Sequence, residues 1–149
     1  MAIEGTASEV INAPIEKVYE IAADVENSPK WQPEIKDAEV LKKDKDGNQI
    51  LVRTKADAKV KEMTSELEFS YDPPNGLSWK QIKGDSKSLV GSWELEDLGD
   101  GTTKATYSMK VDLGRALSLV IRGPLVDLLK NQLVNTMPGK LKGYVEGNS

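Results

Sequence analysis

A chain of 149 residues, 38% hydrophobic and 30% charged, is sized for one globular domain. Its formal net charge of −4 offers no basic face to a polyanion, so nucleic acid is not an expected partner. Cysteine and histidine are both absent, which excludes disulfides, thiolate metal sites, cysteine nucleophiles and histidine-based triads and leaves acid–base chemistry to Asp, Glu, Tyr, Lys or water.

The opening MAIEGTASEV lacks the basic and apolar regions of a signal peptide. No run approaches the about 18 apolar residues of a membrane span. A cytoplasmic protein with no stable membrane insertion is the expectation. Residues Ile3–Asn12 read as a first strand. A helix is predicted to follow, with Pro14 in its first turn, Asn12 or Ala13 as cap and Glu16 favourably placed near its positive end. Val18, Ile21, Ala22 and Val25 recur at helical spacing, and Ser28-Pro29 stops the pattern. SPKWQPEI is then a loop or a short second helix, whose Trp31 either gates a cavity mouth or staples the loop to the core.

Strands are predicted next. Asp37–Lys43 and Gln49–Asp57 flank the hairpin signal Asp46-Gly47, and Ile50, Val52, Thr54 and Ala56 share one face of the second. In Lys59–Tyr71 an apolar face begins at Met63 and runs through Ser65, Leu67, Phe69 and Tyr71, while Glu62, Glu66 and Glu68 face water. DPPNG turns the chain. Leu77, Trp79 and Gln81 alternate with Ser78, Lys80 and Ile82. Leu89, Gly91, Trp93 and Leu95 alternate with Val90, Ser92, Glu94 and Glu96. Ala105, Tyr107, Met109 and Val111 alternate with Thr106, Ser108, Lys110 and Asp112. The loop DKDGN is a turn and not a calcium loop, because the twelfth position from Asp44 is Lys55 rather than Glu. After Gly114 the period becomes helical. The stretch from Ala116 to Met137 reads as one long apolar helix, with Gly123-Pro124 either kinking it over a mobile lid or starting the helix proper.

Hairpin-length links imply consecutive antiparallel strands, with one apolar face to cover. The reading is α+β: about seven strands in a curved antiparallel sheet wrapped around a long C-terminal helix, with one or two short helices after the first strand, all in a single domain over residues 1–149.

This order, together with INAPIEKVYEIAADVENSPKW near the start and GKLKGYVEG at the end, resembles the START-like (SRPBCC) superfamily with the helix-grip fold, in particular its polyketide cyclase/dehydrase and lipid-transport branch. The resemblance implies a cavity between sheet and helix for a small hydrophobic molecule such as a lipid, isoprenoid quinone or polyketide. It brings no universal catalytic motif, so no catalytic residue is assigned.

The predicted ligand-binding residues are Met63, Leu67, Phe69, Tyr71, Trp79, Gln81, Trp93, Tyr107 and Met109 on the strands, and Leu117, Ile121, Leu125 and Leu128 on the helix. Trp79, Trp93, Tyr71 and Tyr107 would put polar tips on an apolar wall, and Gln81 or Ser65 could fix a carbonyl or hydroxyl. The competing expectation is a solid core. No metal and no cofactor are expected. Binding or transport is the leading reading. A cyclase/aromatase-type enzyme is the alternative, and a protein-interaction module, with a protein partner, is a third.

Overall fold

The computed structural model describes residues 2–58 and 61–147. In chain order it contains β1 (Ala2–Ile11), α1 (Ile15–Ala23), a 3₁₀ turn (Val25–Lys30), β2 (Ile35–Lys43), β3 (Gln49–Asp57), β4 (Glu62–Asp72), β5 (Gly76–Gly84), β6 (Ser88–Asp97) and β7 (Thr103–Asp112). The C-terminal region holds α2 (Gly114–Ser118), α3 (Pro124–Lys130), a π-helical turn (Asn131–Asn135) and α4 (Met137–Gly147). Lys59 and Val60, predicted to begin the fourth strand, lie outside the described residues.

The seven strands form one sheet in the order β1-β7-β6-β5-β4-β3-β2, with every neighbouring pair antiparallel. Strands β2 to β7 follow one another as hairpins, and β1 returns to pair with β7. This is the helix-grip arrangement the sequence implies.

Alternation decides which face is inward. In β7, Thr103, Ala105, Tyr107, Met109 and Val111 are buried, while the residues between them face outward or lie half-exposed. In register with them, Trp93 pairs with Tyr107 and Leu95 with Ala105. Trp79 stands opposite Gly91, and a β-carbon at Gly91 would lie 2.5 Å from the Trp79 indole. The missing side chain is therefore what lets the indole lie across β6.

The first helix starts one residue later than predicted. Pro14 is extended (φ −68°, ψ 153°) and precedes the first helical residue, Ile15. The last segment differs more. It is not one helix from Ala116 to Met137. Gly123 has φ 64° and ψ −138°, outside helical space, and Pro124 takes the first position of α3. Proline suits that position because its missing N–H would have had no partner there. Gly123-Pro124 thus starts a helix and does not kink one. Further on, the Thr136 N–H reaches back five residues to the Asn131 carbonyl (3.0 Å), and its hydroxyl donates to the same carbonyl at 3.0 Å. Pro138 supplies no N–H to the Val134 carbonyl, so the helix widens into a π turn before α4 resumes.

These helical pieces pack on β1 and β7, and α4 also meets α1. Leu129, Val134, Leu141 and Val145 are fully buried there. The 3₁₀ turn packs on β2 and β3 at the other side of the sheet. No helix among the described residues is long and apolar enough to cross a membrane.

Candidate functional site

Sheet and cover do not close into a solid core. Between them lies a cavity of about 140 Å³. Its wall comes from the inward residues of β4 to β7: Met63, Ser65, Leu67 and Phe69, then Leu77 and Trp79, then Leu89 and Trp93, then Tyr107, Met109 and Val111. Leu133 and Met137 close it from the C-terminal helices. Ala22, Val25, Ser28, Gln32, Ile35, Thr54 and Ala56 close it from α1, the 3₁₀ turn and the β2–β3 side.

An aromatic chain forms the wall's centre. Ring centroids lie 5.5 Å apart for Phe69–Trp79, 5.7 Å for Trp79–Tyr107 and 4.7 Å for Trp93–Tyr107. All three pairs are tilted, the arrangement that the ring quadrupoles favour. The Tyr107 hydroxyl donates to the Met109 sulfur at 3.6 Å. Burial pushes its phenol well above the ordinary tyrosine value, so it stays protonated at neutral pH.

Seven of the predicted residues therefore meet at one cavity: Met63, Leu67, Phe69, Trp79, Trp93, Tyr107 and Met109. The other six lie elsewhere. Tyr71 stacks on Phe69 at 6.2 Å, but its hydroxyl donates to the Gln49 carbonyl at 2.6 Å, outside the lining. Burial, with a smaller contribution from nearby Tyr19 and two aspartates, pushes its phenol upward as well. Gln81 is a structural hub. Its Oε1 accepts the Ser65 and Ser86 hydroxyls (3.0 and 2.9 Å) and its Nε2 donates to the Ser86 carbonyl at 2.8 Å. Leu117 and Ile121 are buried and Leu125 half-buried, all off the cavity. Leu128 is 45% exposed. These four assumed one continuous helical phase, which the break at Gly123 interrupts; Leu129, beside Leu128, is 1% exposed but also lies off the cavity.

Trp31 is 7% exposed and sits 6.2 Å from Trp93, tilted by 53°. It staples the loop to the core and does not gate a mouth. The residues sequence reasoning left out are those of the near side, Ser28, Gln32, Thr54 and Ala56 among them. For Thr54 and Ala56 the signal was present in the parity they share with Val52; Ser28 and Gln32 lie beyond the helical spacing that ends at Val25 and had none.

Among the described residues the lining contains no lysine or arginine, and its one charged residue is Asp57. In the DKDGN loop the Asp44 carboxylate accepts the Asn48 side-chain amide at 3.0 Å and the backbone N–H groups of Asn48 and Asp46 at 3.0 and 2.9 Å, which holds its pKa below the usual carboxylate value. That carboxylate serves the turn. Among the described residues, no group of three or more acidic side chains stands together to hold a metal ion.

The fold is shared with solved structures. A START superfamily protein from Mycobacterium smegmatis aligns with a TM-score of 0.84 at 21% identity, over 98% of this chain and 99% of its own. A protein of Thermus thermophilus aligns at 0.82 and 22%, again over 98% and 99% of the two chains. The Zhui aromatase/cyclase of a Streptomyces strain aligns at 0.79 and 17%, over 98% of this chain and 94% of its own. At such identities the likeness speaks for the fold alone. Among curated protein sequences no significant match is found. The family model described as polyketide cyclase/dehydrase and lipid transport matches residues 11–137, from the end of β1 to the start of α4. The chain belongs to that family, on a START-like, ligand-binding type of fold.

Proposed function

We propose that this chain binds a small, largely apolar molecule between β3–β7 and the helical cover, and carries or presents it without changing it. The observation that carries this reading is an aromatic-walled space of about 140 Å³ where a domain of this size would otherwise pack solidly. Binding would draw on apolar burial, about 25 cal/mol per Å² before association costs. A space of this volume accepts one ring system or a short chain. A larger ligand would displace Leu133 and Met137 on the cover. The cyclase reading needs a base; Tyr107, at the centre of the aromatic wall, is held in its protonated form, which leaves that role to Asp57 at the β3 side of the lining, away from the rings.

Organic extraction of the purified protein, followed by mass spectrometry, tests the proposal together with titration by apolar fluorophores. A co-purifying apolar molecule and saturable quenching of tryptophan emission are expected. Quenching that never saturates, with an empty extract, would mean that the space is an unused packing defect.

A further inference from the structure

Among the described residues, five serines and threonines are buried: Ser28, Thr54, Ser65, Ser86 and Thr103. Three have their hydroxyls satisfied within the protein. Ser65 and Ser86 donate to Gln81, and Thr103 donates to the Ala13 carbonyl at 2.8 Å. Ser28 and Thr54, at 6% and 8% exposure, make no side-chain hydrogen bond to another described residue, and both line the cavity. Gln32, whose amide is likewise unengaged by described residues, lines it beside them.

The fold brings these three groups to one end. The Gln32 N–H donates to the Ser28 carbonyl at 2.9 Å, and the Ile35 N–H donates to the Gln32 carbonyl at 3.0 Å. Ile35 pairs with Ala56, two residues from Thr54 on β3, and the 3₁₀ turn that carries Ser28 packs on β2 and β3. The opposite wall is the aromatic chain. The cavity is therefore two-ended, with unpartnered neutral donors and acceptors at the β2–β3 end and rings at the other. Hydroxyls without a protein partner that line an enclosed space are available to a ligand or a water there.

Resting on the binding function proposed above, we infer that the ligand is a neutral amphiphile whose hydroxyl or carbonyl end is held by Ser28, Gln32 and Thr54, with its apolar body on Trp79 and Tyr107. Charge disfavours the acidic version of such a ligand. Among the described residues the lining supplies no lysine or arginine to a carboxylate or phosphate, and it includes Asp57.

Naphthalene, naphthol and naphthoate form a matched set of probes, read by calorimetry against wild type and the variants Thr54→Val and Ser28→Ala. Valine keeps the shape of threonine without its hydroxyl, so Thr54→Val also controls for folding. Wild type is expected to prefer naphthol to naphthalene by roughly 3- to 10-fold, the worth of one or two neutral hydrogen bonds, and to bind naphthoate most weakly. Each variant should narrow the naphthol preference while leaving naphthalene affinity where it was. Equal affinity for naphthol and naphthalene in wild type, or a naphthol preference that both variants keep, would overturn the polar-end assignment while leaving the cavity intact. Binding of none of the three would overturn the binding function itself, and this inference with it.

Discussion

The concave wall and the helical cover bound the same cavity by different means. Each inner strand of the wall is laddered to two neighbours, and its side chains alternate without interruption from Thr103 to Val111. The cover has no ladder. It is three short α-helices and a π turn, joined at Gly123 and Thr136, and polar ties at a few points hold it to the rest. Lys140 Nζ donates to Glu34 Oε1 at 2.7 Å and to the Gln132 carbonyl at 3.0 Å, and Lys142 Nζ donates to the Val10 carbonyl at 2.8 Å. The wall fixes the shape that a ligand meets, and local opening belongs to the cover, where fewer cooperative contacts must break.

The strongest blow to the wall is Trp93→Ala. Trp93 is 3% exposed and touches both Tyr107 and Trp31, so truncation removes the junction between sheet and loop. A loss of about 3–5 kcal/mol in urea unfolding is expected. A loss under about 1 kcal/mol would mean that the wall is loosely packed at its centre.

Alkaline pH attacks the same wall without mutation. The Tyr107 phenol has its pKa raised by burial, and in the unfolded chain it returns to about 10. A group whose folded pKa lies above its unfolded one stabilises the fold fully below the unfolded value, and that contribution fades as pH climbs past it. Stability should therefore hold to about pH 10 and fall above it. Tyr107→Phe should blunt the fall. Of the four tyrosines, Tyr107 and Tyr71 are both raised by burial, and Tyr107, the more deeply buried, should show tyrosinate absorbance only as the protein unfolds. Wild type and Tyr107→Phe giving identical absorbance titrations of the folded state, apart from one phenol ionising near 10, would contradict its burial.

On the cover the test is Lys140→Met. Glu34 and Lys140 side chains are 13% and 20% exposed, and removing the ammonium leaves a largely buried carboxylate with an oxygen, Oε2, already unpartnered. The expected loss is about 2 kcal/mol, between an exposed pair and a fully buried one. Restoring neutrality with Glu34→Gln in the same chain should recover part of it. The double variant behaving as badly as the single one would place the cost in lost packing of the lysine stem.

The contrast also explains what the sequence could show. A strand's period of two is local, so Phe69, Trp79, Trp93, Tyr107 and Met109 were readable without knowing what lay opposite. Helix phase is local only until it is interrupted. Leu117, Ile121, Leu125 and Leu128 share a stripe only on an unbroken helix, and the left-handed Gly123 interrupts it, so that Leu129 is buried and Leu128 exposed. Parity in strands likewise tells the face and not the partner. Tyr71 and Gln81 have inward parity, yet the Gln49 carbonyl and Ser86 claim their polar ends. Ser28 and Gln32 lie on a 3₁₀ turn and the loop after it, where no periodic signal exists, and only the docking of that turn on β2 and β3 brings them to Thr54.

The smallest effect is expected on the convex side of the sheet. There Arg53 reaches Glu39 Oε1 at 3.1 Å and Glu66 Oε2 at 3.5 Å, across β2, β3 and β4. The arrangement looks like a clamp on three strands. The side chains of Arg53 and Glu39 are, however, 39% and 57% exposed, so water screens the attraction, and ordering a long side chain costs entropy. Arg53→Gln should shift unfolding by less than about 0.5 kcal/mol, and added salt should change wild type and variant alike. The backbone ladder and the inner apolar face would then account for holding these strands together, as the contrast with the cover requires. A loss above about 1 kcal/mol that vanishes in high salt would instead make the outer charges a structural part of the wall.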